Sequence, residues 1–336
     1  MATNPLSALP NADLNASRIE TCLLDTVRID GDEYLSEIAS HLIKAGGKRQ
    51  RPLFTAASAA TGLADGEVVD DEVIRGGVAV ELVQVGSLYH DDVMDEAEIR
   101  RQVVSVNARW GNLRAIVAGD FLLAKASEIA ASLGTEVAGL LARTIGDLCR
   151  GQVAELQTLY DVNRTEAQYF PSIAGKTASL FSAATRIGGI VSGRDQTMIE
   201  QLATFGQLYG MAFQVIDDIL DVIATDEQLG KPAGKDMLEG VYSLPVIHTL
   251  ASPVGSKLRD LLLNGGSDSG LAEADRLSAI EIVRNGPGVE SARLVAEGFV
   301  QRARTTIASV SDNQASHALG DTAQHLLDSV AAAQVA

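Results

Sequence analysis

Positive charge is scarce in this chain: 27 Lys and Arg stand against 44 Asp and Glu, for a net charge of −17. That argues against a general nucleic-acid binder, which needs a cationic face for phosphates, although it leaves room for a local basic pocket. Aromatic residues make up only 4%, which is sparse for a β-sandwich built on aromatic and β-branched strands. The two cysteines, Cys22 and Cys149, have no metal-ligand spacing and form no disulfide framework, which fits a reduced, cytoplasmic compartment. No run of about 18 apolar residues occurs, so no membrane-spanning helix is expected. The opening MATNPLSALPNADLNAS lacks a basic segment followed by a long apolar one, so it does not read as a secretory signal. The histidines at 41, 90, 248, 317 and 325 show no ligand spacing, and no Ser-His-Asp order, HExxH or GxxxxGK[ST] run is present. They read as structural, with His90 a candidate to stand behind the cluster that follows it.

Of the 336 residues, 46% are hydrophobic, mostly Ala, Leu and Val, with abundant Gly. Helical periodicity dominates from Arg18 onward, and no strand alternation or repeat is visible. The pattern predicts an all-α chain with helices over 16–45, 50–61, 70–95, 103–109, 112–133, 135–158, 165–174, 176–192, 195–225, 239–250, 254–264 and 270–285, and a broken helical stretch over 288–332. Residues 1–15 read as a flexible tail and 16–336 as one domain, since nothing resembles an interdomain linker. Val73–Met94 is apolar around most of its circumference and so belongs inside a bundle.

That helix ends in His90-Asp91-Asp92-Val93-Met94-Asp95-Glu96. Asp91 and Asp95 share a helical face with Asp92 beside them. Three carboxylates at the negative end of a helix dipole are unfavourable unless cations neutralise them. Oxygen-only donors suit Mg²⁺, which takes the rest of its shell from water and substrate phosphates. The same DDxxD spacing returns at Asp217-Asp218-Ile219-Leu220-Asp221 on a second apolar helix. One such cluster is weak evidence, because solvated acidic turns are common. A matched pair is strong, because two buried helices can present both across a bundle cavity and hold several Mg²⁺ ions.

Cations stand beside both clusters. Gly46-Gly47-Lys48-Arg49-Gln50-Arg51-Pro52 is a glycine-hinged basic turn before a helix, where backbone N–H groups and Arg forks suit phosphate. Arg100 and Arg101 follow the first cluster. Lys176-Thr177 is expected to open a helix after Ala174-Gly175 and so to offer free N–H groups, and Lys231 lies in the glycine-rich run after the second cluster.

Together GGKRQRP (46–52), LYHDDVMDEAEIRR (88–101), VNARWGN (106–112), AGDFLLAKAS (118–127), GKTASLF (175–181), FQVIDDILD (213–221) and GKPAGKD (230–236) resemble the trans-polyprenyl diphosphate synthases. The likeness runs from about residue 18 to 330 and is nearest to bacterial long-chain members that serve quinone side chains. It implies an isoprenoid-synthase-type helical bundle around a central cavity and a homodimer. It also implies Mg²⁺, three ions per active site, and isopentenyl and allylic diphosphates as substrates. On this resemblance Asp91, Asp92, Asp95, Asp217, Asp218 and Asp221 would bind the metal. Arg100, Lys176 and Lys231 would hold the leaving diphosphate, and Thr177 and Gln214 would line the cation site. Gly47, Lys48, Arg51, Gln84 and Arg101 would hold isopentenyl diphosphate. No nucleic acid is implied, and membrane contact only for product release. The chain departs from the family pattern at Gln102-Val103-Val104, where Gly-x-Pro is usual, at Lys235, where Ser or Thr is common, and at Val241, where many relatives carry a lysine.

The positions five and four before Asp91 are Gly86 and Ser87, with Val83 a turn deeper; none is aromatic. An open shaft for the growing tail, and a product longer than C15 with C30 to C50 expected, follow from that reading. The competing readings are a short-chain farnesyl or geranylgeranyl diphosphate synthase, a terpene cyclase, and a non-catalytic partner subunit of another synthase. GGKRQRP and Arg101 oppose the cyclase, and the two intact aspartate clusters oppose the non-catalytic subunit.

Overall fold

The computed structural model describes residues 4–225, 233–264 and 271–335. Among these the fold is all-α apart from one short hairpin. The chain divides into two compact units. The first takes Met1–Ile145, Leu180–Gly206 and Thr306–Leu319, and the second takes Gly146–Ser179, Gln207–Thr305 and Gly320–Ala336.

In the first unit the helices are α1 (Ala12–Val27), α2 (Glu33–Lys44), α3 (Gln50–Ala60), α4 (Asp71–Met94), α5 (Val106–Trp110) and α6 (Asn112–Ser132), with β1 (Ile99–Arg100) and β2 (Val103–Val104) between α4 and α5. The central helix is α4, packed by α1, α3 and α6. Val73, Ile74, Val78, Val80, Leu82, Val83 and Val85 are all buried on it, and each such side chain removed from water is worth about 1.5–3 kcal/mol. Two of its glycines let neighbours approach to backbone contact. A Cβ on Gly77 would lie 2.9 Å from Pro52 Cα of α3, and one on Gly86 would lie 3.0 Å from Gly119 O of α6. The phenol of Tyr89, fully buried, donates to Ile38 O at 2.8 Å and ties α4 to α2.

The helix expected over 16–45 is two helices. Arg28 turns extended, Gly31 takes φ +84°, and Asp32 caps α2 by accepting Leu35 N–H at 2.9 Å. Regular structure also starts before the expected residue 16. Residues Pro5–Ala8 form a 3₁₀ turn, and Leu6 and Leu9 share a small pocket with Leu53, Ala56 and Ala57 of α3. Two leucines in a proline-bounded segment are too few to announce themselves by periodicity.

The last parts of α7 (Thr135–Leu156) and of α10 (Gln196–Ile223) belong to the second unit, with α8 (Glu166–Ile173). The run continues from α8 through a π-helical turn at Ala174–Ala178 into α9 (Ser179–Val191). Beyond α10 come α11 (Lys235–Leu238), α12 (Leu244–Leu250), α13 (Gly255–Asn264), α14 (Glu273–Asn285), α15 (Gly288–Ala308) and α16 (Gln314–Val335). Arg284 of α14 donates to Val222 O at 2.8 Å at the end of α10, and Arg276 donates to Ala233 O. One helix thus grips the chain at two points that follow Asp221. No described helix is long and apolar enough to cross a membrane.

Candidate active site

In the first unit the acidic cluster closes α4. Asp91 is half-buried, Asp92 is fully buried, and Asp95 is the exposed C-cap, its N–H bonded to Asp91 O at 2.8 Å. Arg100 folds back on this cluster, its Nε donating to Asp92 Oδ1 at 2.7 Å and its Nη2 in ion-pair contact with the same oxygen at 2.6 Å. His90 turns the other way, 3.4 Å from Asp120 and 3.2 Å from Ile116 O on α6, in space that exists because Gly119 has no side chain.

The hairpin that returns Arg100 and Arg101 was not expected, since two residues per strand are too short to show alternation. Ile99 pairs with Val104 and Arg100 with Val103. The two-residue loop therefore needs positive φ at both central positions, and Arg101 takes +52° and Gln102 +64°. The side chain at 102 is strained there, where a glycine would not be. Gln102→Gly should raise stability by about 1 kcal/mol, roughly 2 °C in Tm for a chain of this size. A thermal melt with an unchanged or lower midpoint would contradict the strain.

The basic turn behaves as its glycines suggest. Gly46 and Gly47 take φ +91° and +145°, Lys48 is exposed, and α3 starts at Gln50. Arg51 lies over the Phe181 ring at 4.5 Å, and Gln84 is half-buried one helical turn below Ser87, whose hydroxyl donates to Gln84 O at 3.0 Å. Arg101 donates to Leu42 O and Gly46 O at 2.9 and 2.6 Å. Among the chain-length positions Val83 is fully buried, Gly86 is taken up by the contact with α6, and Ser87 is half-exposed.

In the second unit Asp217 is exposed on α10, while Asp218 and Asp221 are buried. Asp218 takes one neutral donor on each oxygen: the Tyr169 hydroxyl on Oδ2 at 2.5 Å and the Gln214 amide on Oδ1 at 2.9 Å. Gln214 Oε1 in turn accepts from Thr177 Oγ1 at 2.7 Å. Burial pushes the Asp218 carboxyl up to about 7; the charge of Asp217 adds to this, against the two hydrogen bonds. Lys176 Nζ lies 2.6 Å from Glu155 of α7.

The expectation that Lys176 opens a helix is corrected. The helix does not stop at Gly175, which has no positive φ; it widens, with Ser179 N–H reaching back to Ala174 O. The cause is a crossing with α7. A Cβ on Gly151 would lie 2.3 Å from Lys176 N, and one on Gly175 would lie 2.6 Å from Asp147 O. Two glycines bring the helices into backbone contact, and a π turn at the contact re-aims Lys176 and Thr177; such turns recur at functional sites. Lys231 lies outside the described residues. Lys235 pairs with Glu239 at 2.9 Å, and Val241 N–H bonds Asp236 O at 2.8 Å.

Sequence reasoning passed over Tyr169, Glu155, Arg49 and Glu81. Glu81 had a signal: an acidic residue inside an otherwise apolar helix. Tyr169 had none, because its partner is far away in the chain.

Among the described residues no three His, Cys, Asp or Glu side chains converge as a closed metal cage. The donor chemistry nevertheless fits Mg²⁺, because both clusters offer oxygen only. At the second, Asp217 and Asp218 stand side by side, and Asp218 is buried with two neutral donors.

Each unit thus carries a DDxxD cluster at or near the end of a long helix, in an all-α chain. The polyprenyl synthetase family matches residues 32–274. The nonaprenyl diphosphate synthase of Mycobacterium tuberculosis is 40% identical over 299 residues, covering 88% of this chain and 87% of that protein. Component 2 of the heptaprenyl diphosphate synthase of Geobacillus stearothermophilus is 34% identical, covering 87% and 89%. The crystal structure of a polyprenyl synthase from Caulobacter crescentus, complexed with calcium and isoprenyl diphosphate, superposes with a TM-score of 0.88 at 30% identity and covers 97% of each chain. The chain belongs to the polyprenyl synthetase family.

Proposed function

We propose that the protein is a Mg²⁺-dependent trans-prenyltransferase that condenses isopentenyl diphosphate with an allylic diphosphate to a linear polyprenyl diphosphate of C20 or longer. One observation carries this most: the chain Thr177–Gln214–Asp218–Tyr169 joins the GKT run to the second aspartate cluster through short hydrogen bonds.

Asp91, Asp92, Asp95, Asp217, Asp218 and Asp221 would hold Mg²⁺, three ions in all, with residues 16–336 acting as one catalytic domain. Magnesium supplies neutralisation of the departing diphosphate. Lys176, Arg100 and Lys231 bind the same leaving group and stabilise the charge it gains. The Thr177 hydroxyl donates to Gln214, so its oxygen keeps a lone pair for the allylic cation. Gly47, Lys48, Arg51, Gln84 and Arg101 hold isopentenyl diphosphate with its double bond against C1, and orienting the two substrates supplies much of the rate. The released diphosphate takes the proton from the adjacent carbon.

Exposed Leu113, Ile116 and Val117 form one apolar face of α6, which supports a homodimer. A cytoplasmic setting, with membrane contact only for product release, suits a chain with two free cysteines.

Ser87 is the chain-length position whose side chain is not committed to packing. With labelled isopentenyl diphosphate and a farnesyl primer, mass spectrometry should find C30 to C50 products. Ser87→Phe should shorten them, while Gly86→Phe should chiefly destabilise the fold. Equal product lengths from wild type and Ser87→Phe would defeat the shaft, and a C15 end point would favour a short-chain synthase.

A further inference from the structure

Two buried charges of the first unit, Arg49 and Glu81, have no part in the proposed chemistry. Glu81 is 3% exposed inside α4, about three turns before Asp91. Its Oε1 lies 3.3 Å from Arg49 Nη1 and 3.7 Å from Arg101 Nη2. Arg49 is clamped elsewhere too: Glu20 takes its Nε and Nη2 at 2.6 and 3.2 Å, and Ile43 O takes Nη2 at 2.7 Å. Among the described residues Arg101 has no second carboxylate in its hydrogen bonds and ion pairs, and its Nη1 donates to the carbonyls of Leu42 and Gly46. Gly46 O also accepts from Arg49, at 3.2 Å. Both guanidiniums stand 3.1 Å from where a Gly47 Cβ would be.

Two guanidiniums therefore press on one glycine turn, and one buried carboxylate lies between them. Like charges at this range repel strongly once water is excluded. A buried charge that loses its partner is costly. Arg49 would stay, because Glu20 and Ile43 hold it. Arg101, on a strained exposed hairpin, is the one free to leave.

We infer that Glu81 is a positioning residue for the isopentenyl diphosphate site, fixing the Arg101 guanidinium against the Gly46–Gly47 turn before substrate arrives. This rests on the reading above that Gly47 and Arg101 hold that substrate. A diphosphate then meets a preformed cradle, and the ordering cost is met in folding.

Steady-state kinetics test it. Glu81→Gln should raise KM for isopentenyl diphosphate about tenfold, the order expected when a charge-assisted bond is lost. KM for the allylic substrate should stay within about threefold. In an Arg101→Ala background Glu81→Gln should add little, because Glu81 acts on the substrate only through Arg101. Glu20→Gln, which loosens only Arg49, should lower Tm and leave the isopentenyl KM near wild type. Should Glu81→Gln fail to fold, Glu81→Asp should give a smaller KM rise in the same direction. Equal rises in both KM values, additive losses, or a fall in Tm alone would overturn the inference. Wild-type protein that condenses no isopentenyl diphosphate would instead overturn the function on which it rests.

Discussion

Asp218→Asn should cost roughly a thousandfold in turnover, by the scale of losing one preorganised charge-stabilising group, while the protein melts no lower than wild type. The amide keeps the size of the carboxyl and its oxygen can still accept from Tyr169; the Gln214 hydrogen bond is lost, and relief of the buried charge offsets that loss. The charge is lost. In the wild type that charge is buried beside Asp217 with two neutral donors, which is why the carboxyl is pushed up to about 7. Removing it relieves a cost of folding and takes away a proposed metal ligand. The two effects have opposite signs, and a merely structural aspartate would lower Tm and spare turnover. Steady-state rates and a Mg²⁺-free melt on the same preparation separate these cases. Retention of more than about a tenth of the activity would remove Asp218 from the chemistry.

Gly151→Ala should be nearly as damaging from a site that touches no substrate. The added carbon would lie 2.3 Å from Lys176 N, 2.7 Å from Ser172 O and 2.8 Å from Gly175 C. All three are backbone atoms and cannot rotate away, so α7 and the π turn must separate by about 1 Å to reach ordinary contact. Overpacking of this kind costs about 1–3 kcal/mol. A displacement of that size at Lys176 and Thr177 costs on the order of a hundredfold in rate. Gly146, on the same helix, is the control. A Cβ there would meet only Arg150 Nη1 at 3.7 Å, so Gly146→Ala should keep full activity and gain about 0.5–1 kcal/mol from helix propensity. Similar kinetics for the two variants would show that the crossing does not set the site.

The buried helices were the most legible part of the sequence, because burial leaves a pattern. Long apolar runs placed α3, α4, α6 and α10 within two residues at each end. Spacing alone singled out both aspartate clusters. The turns were harder. Asp30-Gly31-Asp32 carries an ordinary break signal, yet the apolar stripe on either side masked it and joined α1 to α2. Ala174-Gly175 carries the same kind of signal but ends nothing, because that glycine serves a helix crossing instead of a left-handed cap. Gly86 likewise reads as an open position, and in the fold it is where α6 comes closest. A glycine's absent side chain has several uses, and only the partner across the contact distinguishes them. Tyr169 and Arg49 lay beyond sequence reasoning for the same reason: their roles are set by Asp218 and by Glu20 and Glu81, at distances in the chain that periodicity does not reach.

We propose above all that both aspartate clusters serve one allylic diphosphate through shared divalent ions. A crystal structure with Mn²⁺ and a non-hydrolysable allylic diphosphate analogue, read by anomalous scattering, tests it directly. The account predicts manganese peaks bonded to Asp91 and Asp95 and to Asp217 and Asp218, all around a single diphosphate. Ions at one cluster only, or clusters holding separate ligands, would contradict it.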